Sequence, residues 1–283
     1  MASGDFGEVA ERLRRSTVQV QAGGERGGGS GVIWSQDGLI VTNAHVARSD
    51  RARVELWDGR AFDAQVTARN PRRDLASLRI PARALPAAIA GDSSALRPGE
   101  LVVAVGNPLG FIGALTTGVV HALGPLDGLG RQVWVQAAVR LAPGNSGGPL
   151  ADAQGRVIGL NTMIAAGGLA LAIPSNAVAD FLRNGSSPVM LGVTVQPVPL
   201  DRRRSIGLVV LEVSAGGAAD SASILIGDLL VGANGRPFRT VEDLSDAIDS
   251  ACGGLLKLHF VRGARRTERE VAVRLAKRGT EAA

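Results

Sequence analysis

The stretch Pro143-Gly144-Asn145-Ser146-Gly147-Gly148-Pro149 decides how the rest of the chain is read. A serine framed by glycines can leave its hydroxyl open, because glycine tolerates positive φ and adds no side chain against an approaching substrate. Successive N–H groups in such a turn can face one side and form a concavity for an anion. Two hydrolase plans use a serine set this way. One is the G-x-S-x-G elbow of a parallel α/β sheet, which needs a helix directly after the serine and a histidine later in the chain. Gly147-Gly148-Pro149 is a poor helix start, and the only later histidine, His259, lies far toward the C-terminus. The elbow fails, and an esterase-type hydrolase fails with it.

The other plan needs a base and an orienting carboxylate before the serine. Candidates stand in Thr42-Asn43-Ala44-His45-Val46 and in Arg73-Asp74-Leu75-Ala76, with Asp74 29 residues after His45 and Ser146 72 after Asp74. Spacing alone leaves other readings open. His45 also fits an ordinary hydrogen-bonded histidine at a strand end, and Asp74 an ion-pair partner of Arg72 or Arg73. Their conjunction with the framed serine favours His45, Asp74 and Ser146 as base, orienter and nucleophile.

The surrounding pattern agrees. Residues 7–15 read as an amphipathic helix, followed by alternation through Val18 and Val20. About ten short strands come next: 31–34, 39–42, 53–57, 64–69, 75–80, 101–105, 118–123, 132–139, 156–162 and 169–173. Dipeptides such as Asp37-Gly38 and Asp58-Gly59 mark turns between them. This rhythm predicts a mainly β barrel or sandwich and excludes a parallel α/β sheet. A helix over 174–183 leads to Asn184-Gly185-Ser186-Ser187-Pro188, a breaker-rich boundary. Two domains are therefore expected, 1–185 and 186–283. The second has strands over 191–196, 207–213, 228–233, 255–262 and 269–275. Its helix is capped at Thr240, with Asp243 at the third helical position and Leu244, Ala247, Ile248 and Ala251 on one face.

Composition narrows the chemistry further. In 283 residues there are 38 glycines, no tyrosine, three histidines and one cysteine, Cys252. One cysteine excludes an internal disulfide, and the histidines have no ligand-like spacing, so neither metal nor cofactor is expected. His121 and His259 read as strand residues. The net charge of +5 is scattered. Its densest run, Arg202 to Arg204, lacks interleaved aromatics, so nucleic-acid binding is not expected. No apolar run is long enough to span a membrane, and the N-terminus has no leader pattern. Read as complete, the chain would be cytoplasmic.

The TNAHV segment, Asp74-Leu75-Ala76, Gly106-Asn107-Pro108 and Gly144 to Leu150 together resemble the HtrA/DegP-type serine proteases. Gly29-Ser30-Gly31 and Ala172-Ile173-Pro174-Ser175-Asn176 extend the similarity to nearly the whole chain. The resemblance implies a chymotrypsin-like double β-barrel followed by a small α+β PDZ domain. It makes His45 the general base, Asp74 its orienter and Ser146 the attacking group. The oxyanion hole falls to the N–H groups of Gly144 and Ser146, with Asn145 a third candidate. Substrate strands would pair with an edge near Leu169 to Ile173. Leu141, Ala142 and Leu171 would line an apolar pocket for small or medium aliphatic side chains.

Leu191-Gly192-Val193 resembles a PDZ carboxylate-binding loop, with Leu244 and Ile248 contacting the ligand's apolar end. The same positions also fit plain core. The function implied is ATP-independent cleavage of misfolded or unfolded proteins, with C-terminal peptides as PDZ ligands, a homotrimeric assembly and a bacterial periplasmic or envelope location. The competing class is a chaperone or adaptor that holds unfolded chains without cleaving them. Two departures stand out. Ala137-Ala138 occupies the place of the family's Thr-Asp, and Ala142 the place of an Asn, which bears on whether the serine loop rests in an active shape.

Overall fold

The structure is a computed structural model that describes residues 6–22, 28–126, 132–164, 168–184, 191–200, 205–249, 251, 254–263 and 267–275. Cys252, Arg202 to Arg204 and the boundary residues 185–188 lie outside them. The chain divides into two compact units, Met1–Ser186 and Ser187–Ala283.

The first unit opens with α1 (Phe6–Ser16), whose Val9 and Leu13, one turn apart, are buried. Its solvent face is tied by Glu11 to Arg14 and Arg15. Those hydrogen bonds hold the Glu11 carboxyl at a pKa of about 2. Six strands follow: β1 (Thr17–Ala22), β2 (Gly28–Ile33), β3 (Leu39–Thr42), β4 (Arg51–Glu55), β5 (Ala61–Asn70) and β6 (Leu75–Arg79). They close into a barrel in the order β1-β2-β3-β6-β5-β4. Alternating residues such as Val18, Val20, Ile33, Ile40, Val54 and Leu78 share one apolar cluster, as the period of two requires.

The second barrel uses β8 (Leu101–Gly106), β9 (Ala114–Gly124), β10 (Trp134–Ala137), β11 (Pro149–Asp152), β12 (Arg156–Ile164) and β13 (Ala170–Pro174). It runs β11-β8-β9-β10-β13-β12 and closes through β11 with β12; β7 (Ile89–Ala90) adds in parallel to β12. One cluster here is built largely from valines and alanines, Ala137, Ala170 and Ala172 among them. Another joins Val32, Val41 and Leu75 of the first barrel to Val103, Leu160, Leu171 and Ile173 of the second. Val9 and Leu13 of α1, and Val178 and Phe181 of α2 (Ser175–Asn184), belong to that same cluster. The expected double barrel is the observed fold.

Two expectations change. The strand β11, directly after the serine loop, was not anticipated; Pro149 stands at its first residue, where a missing N–H is tolerated. β13 is not an edge, because it pairs with β10 on one side and β12 on the other. All five of its residues are buried, which an inner strand covered on both faces demands.

The second unit is a sheet of β14 (Val193–Leu200), β15 (Ser205–Val213), β16 (Leu229–Ala233), β17 (Arg236–Pro237), β18 (Leu255–Arg262) and β19 (Thr267–Arg274). Its order is β14-β15-β16-β18-β19, with β17 on β16, so β14 lies at an edge. A four-residue helix, α3 (Ala218–Ser221), was not expected. At α4 (Glu242–Asp249) the Asp243 carboxylate accepts the N–H groups of Arg239 and Thr240, the reaching-back half of a capping box.

Candidate active site

His45 and Asp74 meet because β3 and β6 are antiparallel neighbours. Thr42 pairs with Ala76, so the residues leaving β3 lie beside the residues entering β6. The turn at His45 is closed by Val46 and Ala47 N–H groups on the Asn43 carbonyl. Asp74 has φ 53°, a left-handed conformation uncommon for a side-chain-bearing residue. Fully buried Asn43 supports it, donating its amide to the Asp74 carbonyl at 3.0 Å.

The Asp74 carboxylate then receives the His45 backbone N–H at 3.0 Å and His45 Nδ1 at 2.8 and 2.9 Å. Thr162 Oγ1, from β12, donates to it at 2.6 Å. Burial pushes the Asp74 carboxyl up, but the hydrogen bonds from His45 and Thr162 outweigh it and hold the group below its ordinary value. A carboxylate on Nδ1 selects the tautomer whose Nε2 carries a lone pair, the form a general base requires.

Thr162 also reaches the serine. Ser146 Oγ donates to the Thr162 carbonyl at 2.8 Å, so one residue touches Asp74 and Ser146 through different atoms. Among the described hydrogen bonds none joins Ser146 Oγ to His45. The hydroxyl rests on a carbonyl, and transfer to the imidazole requires it to swing away from that carbonyl.

The loop carrying Ser146 is fixed peptide by peptide. Asn145 N–H donates to the Ala142 carbonyl, Gly147 N–H to Asn161, and Gly148 N–H to the Asn145 carbonyl. The N–H groups of Gly144 and Ser146 make no hydrogen bond among the described residues, whereas that of Asn145 is taken by the Ala142 carbonyl. Gly147 has φ 85°, and a Cβ there would lie 2.1 Å from the Ser30 carbonyl oxygen. Gly144 has φ 104°, and a Cβ there would lie 2.6 Å from the Asn107 carbonyl oxygen. Both positions exclude any side chain, which accounts for the glycine frame.

Residues 29–160 match the trypsin-like peptidase domain family, and residues 209–262 match the PDZ domain family. The chain thus carries a trypsin-like peptidase domain followed by a PDZ domain, and it is similar to the HtrA-type serine proteases. It is 35% identical over 264 residues to a probable periplasmic serine endoprotease DegP-like protein of Pseudomonas putida, covering 87% of this chain and 55% of that protein. It thus spans about half the length of the curated relatives it matches. Among solved structures, the HtrA-type protease AlgW with a tripeptide is 27% identical with a TM-score of 0.71, covering 98% of each chain. The serine endoprotease from Yersinia pestis is 26% identical with a TM-score of 0.70, covering 98% of this chain and 99% of that one.

The remaining expected HtrA positions divide. Leu171 is completely buried in the cluster that joins the barrels, while half-buried Leu141 packs against the alanine-rich cluster and Ala142 is half-buried. In the PDZ unit, Leu191 and Leu244 are core, with Val193 and Ile248 partly buried against them. The carbonyls of Leu191 and Gly192 are held by the N–H groups of Ala219 and Ser214, which fixes that loop from behind. His121 is exposed on β9; His259 faces Glu268 and Glu270 across β19. Ala137 is buried in the alanine-rich cluster, and Ala142 serves the loop through its backbone carbonyl.

Sequence reasoning gave no individual role to Asn43, Thr162, Asn107 or Ser30. Hydroxyl and amide side chains on strands, or just past a strand end, carry no local signal of what they will meet across the fold. No described helix is long and apolar enough to cross a membrane, and no described cluster of His, Cys, Asp and Glu could hold a metal ion.

Proposed function

We propose that this chain is an ATP-independent serine endopeptidase acting on unfolded or loosely structured proteins. The observation that carries this reading is the Asp74 carboxylate, shared by His45 and by the residue whose carbonyl holds Ser146. In the reaction, Ser146 Oγ leaves the Thr162 carbonyl, His45 Nε2 takes its proton, and the oxygen attacks the substrate carbonyl. The developing oxyanion is stabilised by the N–H groups of Gly144 and Ser146. The imidazolium, held by ionised Asp74, returns the proton to the leaving amine. Water then repeats the sequence on the acyl-enzyme.

Substrate backbone would lie along β12 beyond Thr162, where Met163 and Ile164 are exposed beside the serine. This replaces the expected pairing with β13. Leu141 and Ala142 supply apolar surface near the loop and favour small or medium aliphatic side chains; a peptide-library profile dominated by basic residues would overturn that preference. The PDZ unit would take C-terminal peptides as an added strand on the β14 edge, and tethering would raise their concentration at the cleft. We assign the whole protein to a bacterial cell envelope and to a homotrimer; a monomer by light scattering at micromolar concentration would contradict the assembly.

Casein digestion tests the activity. Wild type should degrade it, and Ser146→Ala should lose turnover by several orders of magnitude. One observation favours a second reading, a holdase that cleaves little: the Ser146 hydroxyl rests on Thr162 rather than His45. Equal, negligible turnover of both proteins would select it.

A further inference from the structure

Ser30 is completely buried on β2, in the first barrel, yet two of its hydrogen bonds go to the serine loop of the second. Its N–H donates to the Ser146 carbonyl at 2.7 Å. Its Oγ donates to the Gly144 carbonyl at 2.7 Å and accepts the Asn107 N–H at 2.8 Å. Its own carbonyl accepts Thr42 Oγ1 at 2.6 Å. The hydroxyl is thus used as donor and as acceptor, and the backbone is occupied at both ends.

A peptide unit is planar, so holding its carbonyl also aims the N–H at its other end. The unit joining Gly144 to Asn145 is held at its oxygen by Ser30 Oγ and at its N–H by Ala142. The unit joining Ser146 to Gly147 is held at its oxygen by Ser30 N–H and at its N–H by Asn161. Between these two fixed units lies the one that carries Ser146 N–H; just before them lies the one that carries Gly144 N–H. Those two donors are the pair left without an internal partner. With Gly144 at φ 104°, no side chain restrains rotation there, and hydrogen bonds must supply the restraint.

We propose that Ser30 is a positioning residue for the oxyanion hole: it clamps the Gly144 and Ser146 carbonyls away from the cleft and so presents the N–H groups of Gly144 and Ser146 to the reacting carbonyl. The inference rests on Ser146 being the nucleophile. Preorganised donors act when charge develops in the transition state, so their loss lowers kcat and spares ground-state binding. A merely structural serine would lower stability without separating kcat from KM.

Full-length Ser30→Ala is the test, with an unfolded peptide substrate and a peptide boronate as transition-state analogue. The folded variant is expected to lose roughly tenfold or more in kcat, with KM within about twofold and boronate affinity falling in step with kcat. Ser30→Thr, which keeps the hydroxyl, should recover most of both. If Ser30→Ala does not fold, Ser30→Cys keeps the volume with a far weaker donor, and the same criteria apply. Unchanged kcat in the folded variant, or a kcat loss with undiminished boronate affinity, overturns the inference. A crystal structure of the variant separates this from failure of the nucleophile assignment, since it needs no turnover. A Gly144 carbonyl turned toward the cleft supports the clamp, and a wild-type orientation refutes it.

Discussion

Replacing Thr162 with valine removes one hydroxyl and changes the shape of the side chain little. The backbone carbonyl that holds Ser146 Oγ remains, so the variant isolates the Thr162 contact to Asp74. That carboxylate has the His45 N–H, His45 Nδ1 and Thr162 Oγ1 as partners, and its side chain is 17% exposed. A hydrogen bond to a charged group contributes about 1.5–3 kcal/mol. Partial access of water to Asp74 reduces the loss here to about 1–2 kcal/mol. If that stabilisation is felt when the imidazolium forms, kcat/KM falls roughly 5- to 30-fold.

The same change has a signature in pH. Asp74 is depressed below its ordinary pKa, so its contribution to stability is present above the unfolded value and disappears as pH falls through the folded value. Thr162→Val raises the folded value toward the unfolded one and shrinks that contribution. The difference in Tm between the two proteins should be largest near neutral pH and vanish once Asp74 is protonated in both. Steady-state kinetics on a peptide substrate and calorimetric scans across pH read both effects. Unchanged kcat/KM together with a Tm difference independent of pH would refute the role given to Thr162.

Other consequences are sharper but less selective. Asp74→Asn should lower kcat by roughly four orders of magnitude by favouring the wrong imidazole tautomer, with the fold intact by circular dichroism. Gly147→Ala forces a Cβ to within 2.1 Å of the Ser30 carbonyl oxygen at positive φ, so activity should collapse and Tm should drop, both read on the purified variant. In the PDZ unit, Arg262 pairs with Asp228, which is 1% exposed. Arg262→Met should destabilise that unit by roughly 3 kcal/mol by leaving a buried charge unpaired, measured by denaturant unfolding.

The sequence carried the barrel rhythm, because alternation and turn dipeptides are local. It also carried the glycine frame of Ser146, whose cause is the close approach of Ser30 and Asn107 backbone. It did not carry the meeting of His45 with Asp74 as a contact; that depends on the pairing of Thr42 with Ala76. Ser30, Asn43 and Thr162 were illegible as functional groups for a similar reason, since their contacts to Gly144, Asp74 and Asp74 span 114, 31 and 88 residues. The misreading of β13 as an edge had a signal within it. A run without polar residues, Leu169 to Ile173, is what a strand buried on both faces requires. Only the folded loop shows that the Asn145 N–H is spent on the Ala142 carbonyl, which leaves those of Gly144 and Ser146 for the proposed oxyanion role.

The central claim is that Ser146 is a nucleophile activated by His45. Reaction with a fluorophosphonate, followed by peptide mapping, tests it most directly. The account predicts a single adduct on Ser146, lost in His45→Ala and in Ser146→Ala. No adduct on the folded wild-type protein, an adduct on another residue, or labelling of Ser146 that proceeds equally without His45 would contradict it.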